Sequence, residues 1–259
     1  KEIKSLKKYP NLIIKNRTSL AAFHGYNYLL ARENLTDHLS ISDRKNKIRQ
    51  RLWKIRAKKV IIASGSIERP LIFSNNDRPG IILSSSIKKY IDYYGVKTGE
   101  NISLFTNNDS AYETAISLYK SGVKVNVIVD IRKNSDSLIV KEALELGLKV
   151  LWESTVVDTQ GYKRIKSFEV MKLSDDGNNV VGDRSKYNCD CLGISGGWTP
   201  MVHLFTQSGG KLKFRNEDQV FIPNEYPSNQ INIGSCNGDF SLVEILSSIS
   251  KKLKDFLNI

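Results

Sequence analysis

The chain has 259 residues, of which 40% are hydrophobic, and its formal net charge is +12. This composition is that of a folded globular protein and excludes an intrinsically disordered chain. No apolar run reaches the roughly 20 residues that span a bilayer, and no signal-peptide pattern opens the chain. The lysines are scattered and no nucleic-acid-binding motif accompanies them, so we expect neither a nucleic acid nor a membrane as a partner.

The cysteines and histidines predict neither a metal site nor a redox pair. Cys189, Cys191 and Cys236 have no metal-binding spacing and form no CxxC motif, and the three histidines are widely separated. Cys189 and Cys191 alternate within an apolar run, which predicts that both thiols lie on one face of a strand. We expect buried structural thiols in a reducing compartment, and therefore a cytoplasmic protein.

The first part of the chain predicts mainly strands and one clear helix. The predicted elements, in chain order, are a helix over 1–8, a short buried strand over 12–14, an antiparallel pair over 26–35 and 49–55, a buried strand over 60–62, and a helix that has a serine cap near Ser84–Ser86 and ends at Gly95.

The middle of the chain predicts alternating strands and helices, which indicate a mostly parallel sheet covered on both faces. The predicted elements are strands over 102–105 and 123–129 around a helix over 110–121, a helix over 137–146 that is followed by a strand over 149–152, and, after further strands, strands over 220–222 and 231–233 and a helix over 241–257. We expect residues 1–96 and 190–259 to form one outer domain, and residues 97–189 to form an inserted βαβ domain.

Two strands run into small residues, which suits a ligand crevice. The segment "VIIASGSIERP" is a buried strand that ends at Ala63, Ser64 and Gly65, and "INIGSCNGDF" is another that enters a loop with Gly234 and Gly238. Small residues at the carboxyl end of a strand let the backbone approach a ligand. A plain strand turn and an ordinary helix cap would explain the same residues.

The turn after the strand over 102–105 reads Thr106-Asn107-Asn108-Asp109-Ser110-Ala111. A working pyrophosphate loop has glycines here for the tight turn, for the phosphate and for helix packing. Their absence predicts a βαβ unit that has kept its fold and lost its nicotinamide site. Asp130 lies where an acid could hold a ribose hydroxyl. His203, which follows the "SGGWTP" crossover, is predicted to be a packed or surface histidine, and we assign no residue a catalytic role.

These segments, in this order, resemble the two-dinucleotide-binding-domain flavoprotein superfamily. The blocks "ERPLIFSNNDRPGI" and "GGWTPMVHL" are similar more narrowly to the alpha subunits of heterotetrameric sarcosine oxidases, over about residues 11–238. The resemblance implies a three-layer α/β fold of the FAD/NAD(P)-binding, disulfide-reductase type, with antiparallel β excursions. In this family a glycine-rich βαβ unit precedes such a segment, and the chain starts with lysine, so we expect a central piece of a longer chain.

The resemblance also implies cofactors and partners. The family's alpha subunit holds NAD+ in the crevice where relatives hold FAD, while FMN and a second site with FAD belong to the full complex with beta, gamma and delta subunits. That complex demethylates sarcosine to glycine, produces hydrogen peroxide and passes the one-carbon unit to tetrahydrofolate. The open alternatives are a subunit of a related amine, opine or proline dehydrogenase, and a scaffold without a nucleotide.

Carried over to this chain, the family pattern implies eight cofactor-binding residues. Leu20 would meet the adenine end through its backbone, Ala63, Ser64 and Gly65 would line the crevice, and Gly234, Ser235, Phe240 and Leu242 would close the pyrophosphate and nicotinamide side. Two features depart from the family: Ser64 stands in place of a threonine, and the segment "SCNGDFSL" matches only loosely.

Overall fold

The computed structural model describes residues 5–6 and 8–258. In chain order its elements are β1 (Thr18–His24), β2 (Tyr28–Asn34), β3 (Gln50–Arg56), β4 (Val60–Ile62), β5 (Ser66–Glu68), β6 (Ile81–Leu83), α1 (Ser84–Tyr94), β7 (Asn101–Thr106), α2 (Ser110–Lys120), β8 (Lys124–Asp130), α3 (Leu138–Glu145), β9 (Val150–Leu151), β10 (Ser154–Gln160), β11 (Ser167–Leu173), β12 (Val180–Asn188), β13 (Cys191–Ser195), β14 (Trp198–Pro200), α4 (His203–Gln207), β15 (Lys211–Arg215), β16 (Val220–Glu225), β17 (Gln230–Asn232), a 3-10 helix (Gly234–Asn237) and α5 (Leu242–Leu257).

The chain divides into two compact units, the first made of Lys1–Ser66 and Pro200–Ile259 and the second of Ile67–Thr199. The second unit extends beyond the inserted domain that the sequence predicts over 97–189. The physical reason is hydrogen bonding: β6 and the whole of β13 pair in parallel within the sheet of this unit, so the segments on either side of 97–189 belong to it.

The first unit combines antiparallel strands with one parallel pair. Strands β1, β2 and β3 form an antiparallel sheet, β15 and β16 form a hairpin, and β17 pairs in parallel with β4. The predicted antiparallel pair over 26–35 and 49–55 is confirmed as β2 and β3. Phe23, Ile62, Phe205 and Cys236 lie in one buried cluster, against which Leu20 packs.

The second unit has three layers around a parallel sheet in the order β6-β13-β7-β8-β9. One buried cluster joins sheet residues to helices α1, α2 and α3, and the fully buried Tyr112 belongs to it. The other cluster joins the sheet to the antiparallel strands β10, β11 and β12. The predicted α/β class with antiparallel excursions is confirmed, and an antiparallel sheet supplies the third layer.

The structure contradicts two local predictions, and a third lies mostly outside the described residues. The strand predicted over 12–14 is wrong, because these residues are irregular and Ile13 is 79% exposed. Cys189 and Cys191 do not share a face: Cys189 precedes β13 and packs with the antiparallel sheet, whereas Cys191 packs with the helices. The helix predicted over 1–8 falls mostly outside the described residues.

Among the helices that the structure describes, none is long and apolar enough to cross a membrane.

Candidate functional site

The parallel pairing of β4 with β17 brings two predicted crevice segments to the same edge. Ile62 lies opposite Asn232 in the register, and the N–H of Ile233 donates to the carbonyl of Ile62 at 3.0 Å. Because parallel strands end at the same edge of a sheet, the segments that follow them lie side by side. Ala63–Gly65 and the turn that begins at Gly234 are therefore neighbours in the first unit.

Two glycines in left-handed conformations form this edge. Gly65 has φ +78° and Gly234 has φ +72°, a region that side-chain-bearing residues rarely adopt. A Cβ atom built on Gly65 would lie 4.0 Å from the Oγ of Ser235, so the two turns adjoin. A Cβ atom built on Gly234 would meet nothing within 4 Å. The backbone at Gly234 is therefore open to close approach by a ligand, which fits a dinucleotide.

Ser64 holds the end of β4 in place. Its hydroxyl donates to the carbonyl of Met201 at 2.8 Å, and the N–H of Met201 donates to the carbonyl of Gly65 at 3.0 Å. Both contacts lie within the first unit and fix the course of the chain after β4. A serine hydroxyl is sufficient for this bond.

The other predicted site residues surround this edge less closely. Leu20 lies in β1 beside a register shift and packs against the cluster that contains Ile62 and Cys236. Phe240 is exposed, with the guanidinium carbon of Arg215 5.9 Å from its ring centroid, and Leu242 is exposed at the start of α5. The residues that the structure brings together are Ala63, Ser64, Gly65, Gly234 and Ser235.

In the second unit, the turn between β7 and α2 is closed by its own side chains. The Nδ2 of Asn108 donates to the carbonyl of Ser195 at 3.2 Å and to its Oγ at 3.0 Å. The hydroxyl of Ser110 donates to the Oδ1 of Asn108 at 2.6 Å, and the indole N–H of Trp198 donates to the Oγ of Ser110 at 3.1 Å. The position that a pyrophosphate takes in a glycine-rich turn is thus lined by an internal hydrogen-bond network.

The carboxylate of Asp130 is also used internally. Asp130 is fully buried, accepts from the hydroxyl of Tyr112 at 2.8 Å, and accepts two hydrogen bonds from the Arg132 guanidinium at 2.7 and 3.0 Å. Burial, followed by the charge and hydrogen bond of Asp130, raises the pKa of Tyr112, so its hydroxyl stays protonated. The Nη1 of Arg132 donates to Asp109 at 2.7 Å, so each nitrogen of this guanidinium donates a hydrogen bond to one of the two carboxylates.

The charge of Asp109 is stabilised by the same guanidinium. Partial burial acts to raise the pKa of Asp109, but hydrogen bonds from Arg132, Ser137 and Ser135 outweigh it and hold that pKa below its ordinary value. Asp109 lies in the turn where the nucleotide loop was expected. The guanidinium of Arg132 pairs with both Asp109 and Asp130. Charged groups that satisfy one another in this way fit a structural role better than a ligand site.

Glu68, in the segment "SIERP", serves the backbone of a helix. Its side chain is buried, and its Oε2 accepts from the N–H of Ser85 at 2.8 Å. Helix α1 begins after Leu83, whose side chain forms no capping hydrogen bond, so the predicted serine cap is wrong and a carboxylate from β5 takes its place. The sequence allowed either a ligand crevice or a plain strand turn at this segment, and the hydrogen bond to Ser85 gives Glu68 a structural role.

Sequence reasoning missed Asn232, Arg132 and Arg215. Asn232 is buried at the end of β17 with neither side-chain amide atom partnered among the described residues. A polar residue in the short apolar strand "QINI" was the available signal. The described residues contain no group of three or more His, Cys, Asp or Glu side chains that could hold a metal ion.

Two relatives of the chain have the same name. Sarcosine oxidase subunit alpha of Corynebacterium sp. strain P-1 is 36% identical over 234 residues, which are 90% of this chain and 24% of that protein. The same subunit of Rhizobium meliloti strain 1021 is 31% identical over 217 residues, which are 84% of this chain and 21% of that protein. The resemblance to sarcosine oxidase alpha subunits is confirmed. The chain spans about a quarter of the length of these alpha subunits. No protein-family model matches the chain.

Solved structures support the superfamily fold. Thioredoxin reductase from T. acidophilum has a TM-score of 0.63 at 16% identity, over 93% of this chain and 72% of that one. L-Proline dehydrogenase from P. horikoshii has a TM-score of 0.55 at 20% identity, over 85% of this chain and 36% of that one. These similarities confirm the predicted three-layer α/β fold of the disulfide-reductase type.

Proposed function

We propose that the chain is the cofactor-holding part of a flavoprotein oxidoreductase of the sarcosine oxidase type. The observation that carries the proposal is the 36% identity to a sarcosine oxidase alpha subunit across 90% of the chain. The edge formed by β4 and β17 supports it, because Gly65 and Gly234 leave the backbone accessible there. This function accounts both for the open first unit and for the closed turn of the second.

In this proposal the first unit binds NAD+, or FAD in the same crevice. Ala63, Ser64 and Gly65 line the crevice, Gly234 and Ser235 approach the pyrophosphate, Leu20 contributes its backbone at the adenine end, and Phe240 and Leu242 flank the nicotinamide side. The bound dinucleotide stabilises this part of the assembly and is not a redox participant. We propose no general base or nucleophile in this chain.

The wider assembly then carries out the reaction in the cytoplasm. Partner subunits beta, gamma and delta, with FAD and FMN, convert sarcosine, oxygen and tetrahydrofolate into glycine, hydrogen peroxide and methylenetetrahydrofolate. In the second unit, the side chain of Asn108 occupies the turn and Arg132 pairs with the carboxylate of Asp130. Both positions are therefore closed to a nicotinamide nucleotide. Electrons therefore come from the amine substrate and not from NADH.

Recovery of the bound nucleotide tests the cofactor proposal. The full-length protein is purified, denatured with acid, and its released small molecules are identified by mass spectrometry. We expect one NAD+ per chain. Recovery of FAD would support the crevice as a dinucleotide site and identify FAD as its cofactor. A protein that releases no dinucleotide and takes up none on incubation would overturn the proposal.

A substrate comparison tests the reaction. The intact complex is assayed for hydrogen peroxide with sarcosine, proline and octopine as separate substrates. Sarcosine is expected to give the highest kcat/KM by at least tenfold. A higher value with proline or octopine would assign the chain to a related dehydrogenase, which is the alternative that the sequence left open.

A further inference from the structure

Strand β3 lies at an edge of the antiparallel sheet in the first unit. The sheet has the order β1-β2-β3, so one side of β3 pairs with β2 and, among the described residues, its other side pairs with no strand. Six of its seven residues are exposed. An exposed edge strand presents a row of unpaired N–H and C=O groups, which another chain can use for pairing.

The register identifies the backbone groups of β3 that point away from the sheet. The N–H of Leu35 donates to the carbonyl of Arg49 at 2.9 Å, and the N–H of Ala57 donates to the carbonyl of Asn27 at 3.1 Å. Between these bonds β2 and β3 pair without a register shift. Because hydrogen-bonded pairs alternate along an antiparallel strand, the odd-numbered residues of β3 bond to β2. The N–H and C=O groups of its even-numbered residues, which include Leu52, therefore point outward.

The same strand belongs to a run of cations that contains no acid. Residues 44–59 include nine lysines and arginines and neither aspartate nor glutamate. Among the described residues, Arg51 is the only one of these nine that forms an ion pair, with Glu33 at 3.7 Å. Lys54 and Arg56 are exposed on β3 itself. The edge therefore attracts negative charge, and it disfavours pairing with a second copy because like charges would face one another.

The backbone edge and the exposed apolar side chains favour a polypeptide over a nucleic acid. Ile48, Leu52 and Ile55 are exposed between the cations. A nucleic acid offers phosphates to the cations, but its backbone has no alternating N–H and C=O groups that match a strand edge. An extended polypeptide has these groups, and its side chains can offer carboxylates and apolar contacts in turn.

We propose that the edge of β3 binds an extended acidic segment of a partner protein, which adds a fourth strand to this three-stranded sheet. Hydrogen bonds to the outward N–H and C=O groups hold the backbone of the segment, and its carboxylates pair with the exposed cations. None of the eight predicted cofactor-binding residues lies within 44–59. The inference is therefore independent of the nucleotide crevice.

A pair of peptides tests the backbone pairing. The full-length protein is purified without other subunits and titrated into a fluorescent peptide of about ten residues that alternates glutamate and valine, long enough to cover β3. The peptide is expected to raise its anisotropy on binding. The same peptide with N-methylated amides on one edge keeps its charges, and it is expected to bind weaker by about tenfold or more. Equal binding of the two peptides, or no binding of the first at millimolar concentration, would overturn the proposal.

Two further ligands test the class of the partner. A peptide that alternates lysine and valine has the same backbone and the opposite charge, and it is expected to bind weaker than the glutamate peptide by about tenfold or more. An oligothymidylate of similar length has negative charge without a peptide backbone, and it is also expected to bind more weakly. The proposal would be wrong if the lysine peptide bound equally well, or if the oligothymidylate bound more tightly than the glutamate peptide.

A variant pair at one position gives a second readout. Leu52→Pro removes an outward N–H without removing a hydrogen bond to β2, and it is expected to weaken binding of the glutamate peptide by about tenfold or more. Its matched control, Leu52→Ala, retains the N–H and is expected to bind within about threefold of the native chain. Native binding by a folded Leu52→Pro variant would contradict the proposal. If thermal unfolding shows that this variant does not fold, the comparison of the two glutamate peptides decides.

Discussion

The guanidinium of Arg132 forms a bidentate ion pair with the carboxylate of Asp130, two residues before it, with Nη2 2.7 Å from Oδ2 and Nε 3.0 Å from Oδ1. Asp130 ends β8, at the place where an acidic residue of a dinucleotide-binding unit would face a ribose. The pairing with Arg132 occupies that carboxylate. The chain itself thus supplies the positive partner that keeps a buried charge stable.

Replacement of this partner is expected to destabilise the second unit strongly. Arg132→Met leaves the carboxylate of Asp130 buried without its ion pair, and breaking a buried pair from one side costs about 3 kcal/mol or more. Urea unfolding followed by tryptophan fluorescence measures the loss. The double variant Asp130→Asn/Arg132→Met is expected to recover part of it.

An exposed ion pair provides the control. Lys120→Met removes the 2.8 Å contact with Glu142, in which both side chains are largely exposed, and is expected to cost less than about 1 kcal/mol. A loss for Arg132→Met no greater than that for Lys120→Met would contradict the structural role of the buried network.

Acid is expected to weaken the second unit through Asp109. Its folded-state pKa is lowered, so its stabilising contribution is fully present above the ordinary aspartate value of about 3.9 and is lost as pH falls through the lower folded-state value. Asp109→Asn should therefore lower the free energy of unfolding at pH 7, by about 1 kcal/mol for a partly exposed contact, and lower it by less at pH 2.5.

The matched control for this prediction is Glu142→Gln, which removes an exposed carboxylate from the same unit. Urea unfolding of the native chain and both variants at pH 7, 5 and 2.5 gives the comparison. A constant difference between the native chain and Asp109→Asn at all three pH values would show that Asp109 acts through packing and not through its charge.

Replacement of Gly234, at the proposed crevice, is expected to weaken NAD+ binding by more than backbone strain alone explains. Gly234 has φ +72° and Gly177, in the turn between β11 and β12, has φ +71°, and an added Cβ atom meets nothing within 4 Å at either. Gly234→Ala and Gly177→Ala should thus carry a similar strain of about 1 kcal/mol. Only Gly234→Ala is expected to lose bound NAD+, as measured by isothermal titration; equal NAD+ affinities would count against the crevice.

The thiols are expected to be unreactive in the folded chain. All three cysteines are buried, and burial raises the pKa of Cys189 to about 12. Reaction with Ellman's reagent at pH 8 should be slow, and all three thiols should react rapidly in 6 M guanidinium chloride, about the strength that unfolds hyperstable domains. Rapid modification of one thiol in the native chain would identify a segment that opens locally.

Local pattern predicts much of the second unit, because its strands and helices are long enough to show their periods. The strand over 102–105 and the helix over 110–121 differ from β7 and α2 by one residue at an end or less. Three apolar residues in a row, as over 12–14, contain too little of any period to separate a strand from an exposed segment. Pairings between distant strands, such as β5 with β14, are invisible to a local pattern.

The candidate site was partly predictable for the same reason. Small residues at the ends of two buried strands indicated the crevice, and the parallel register of β4 with β17 unites them. The missing glycines indicated that the second unit has lost its nicotinamide site. The contacts that close it, from Arg132 to Asp109 and from Asn108 to Ser195, depend on side chains whose meeting is set by the tertiary fold.

The pairing of β5 with β14 has a consequence for the modular use of the second unit. Close to its two ends, the N–H of Arg69 donates to the carbonyl of Gly197 at 2.8 Å, and the N–H of Gly196 donates to the carbonyl of Arg69 at 2.7 Å. Ends that lie this close can be joined by a few residues. Residues 67–199 form a cassette that could be circularly permuted, exchanged for a homologous cassette, or excised and replaced by a short linker.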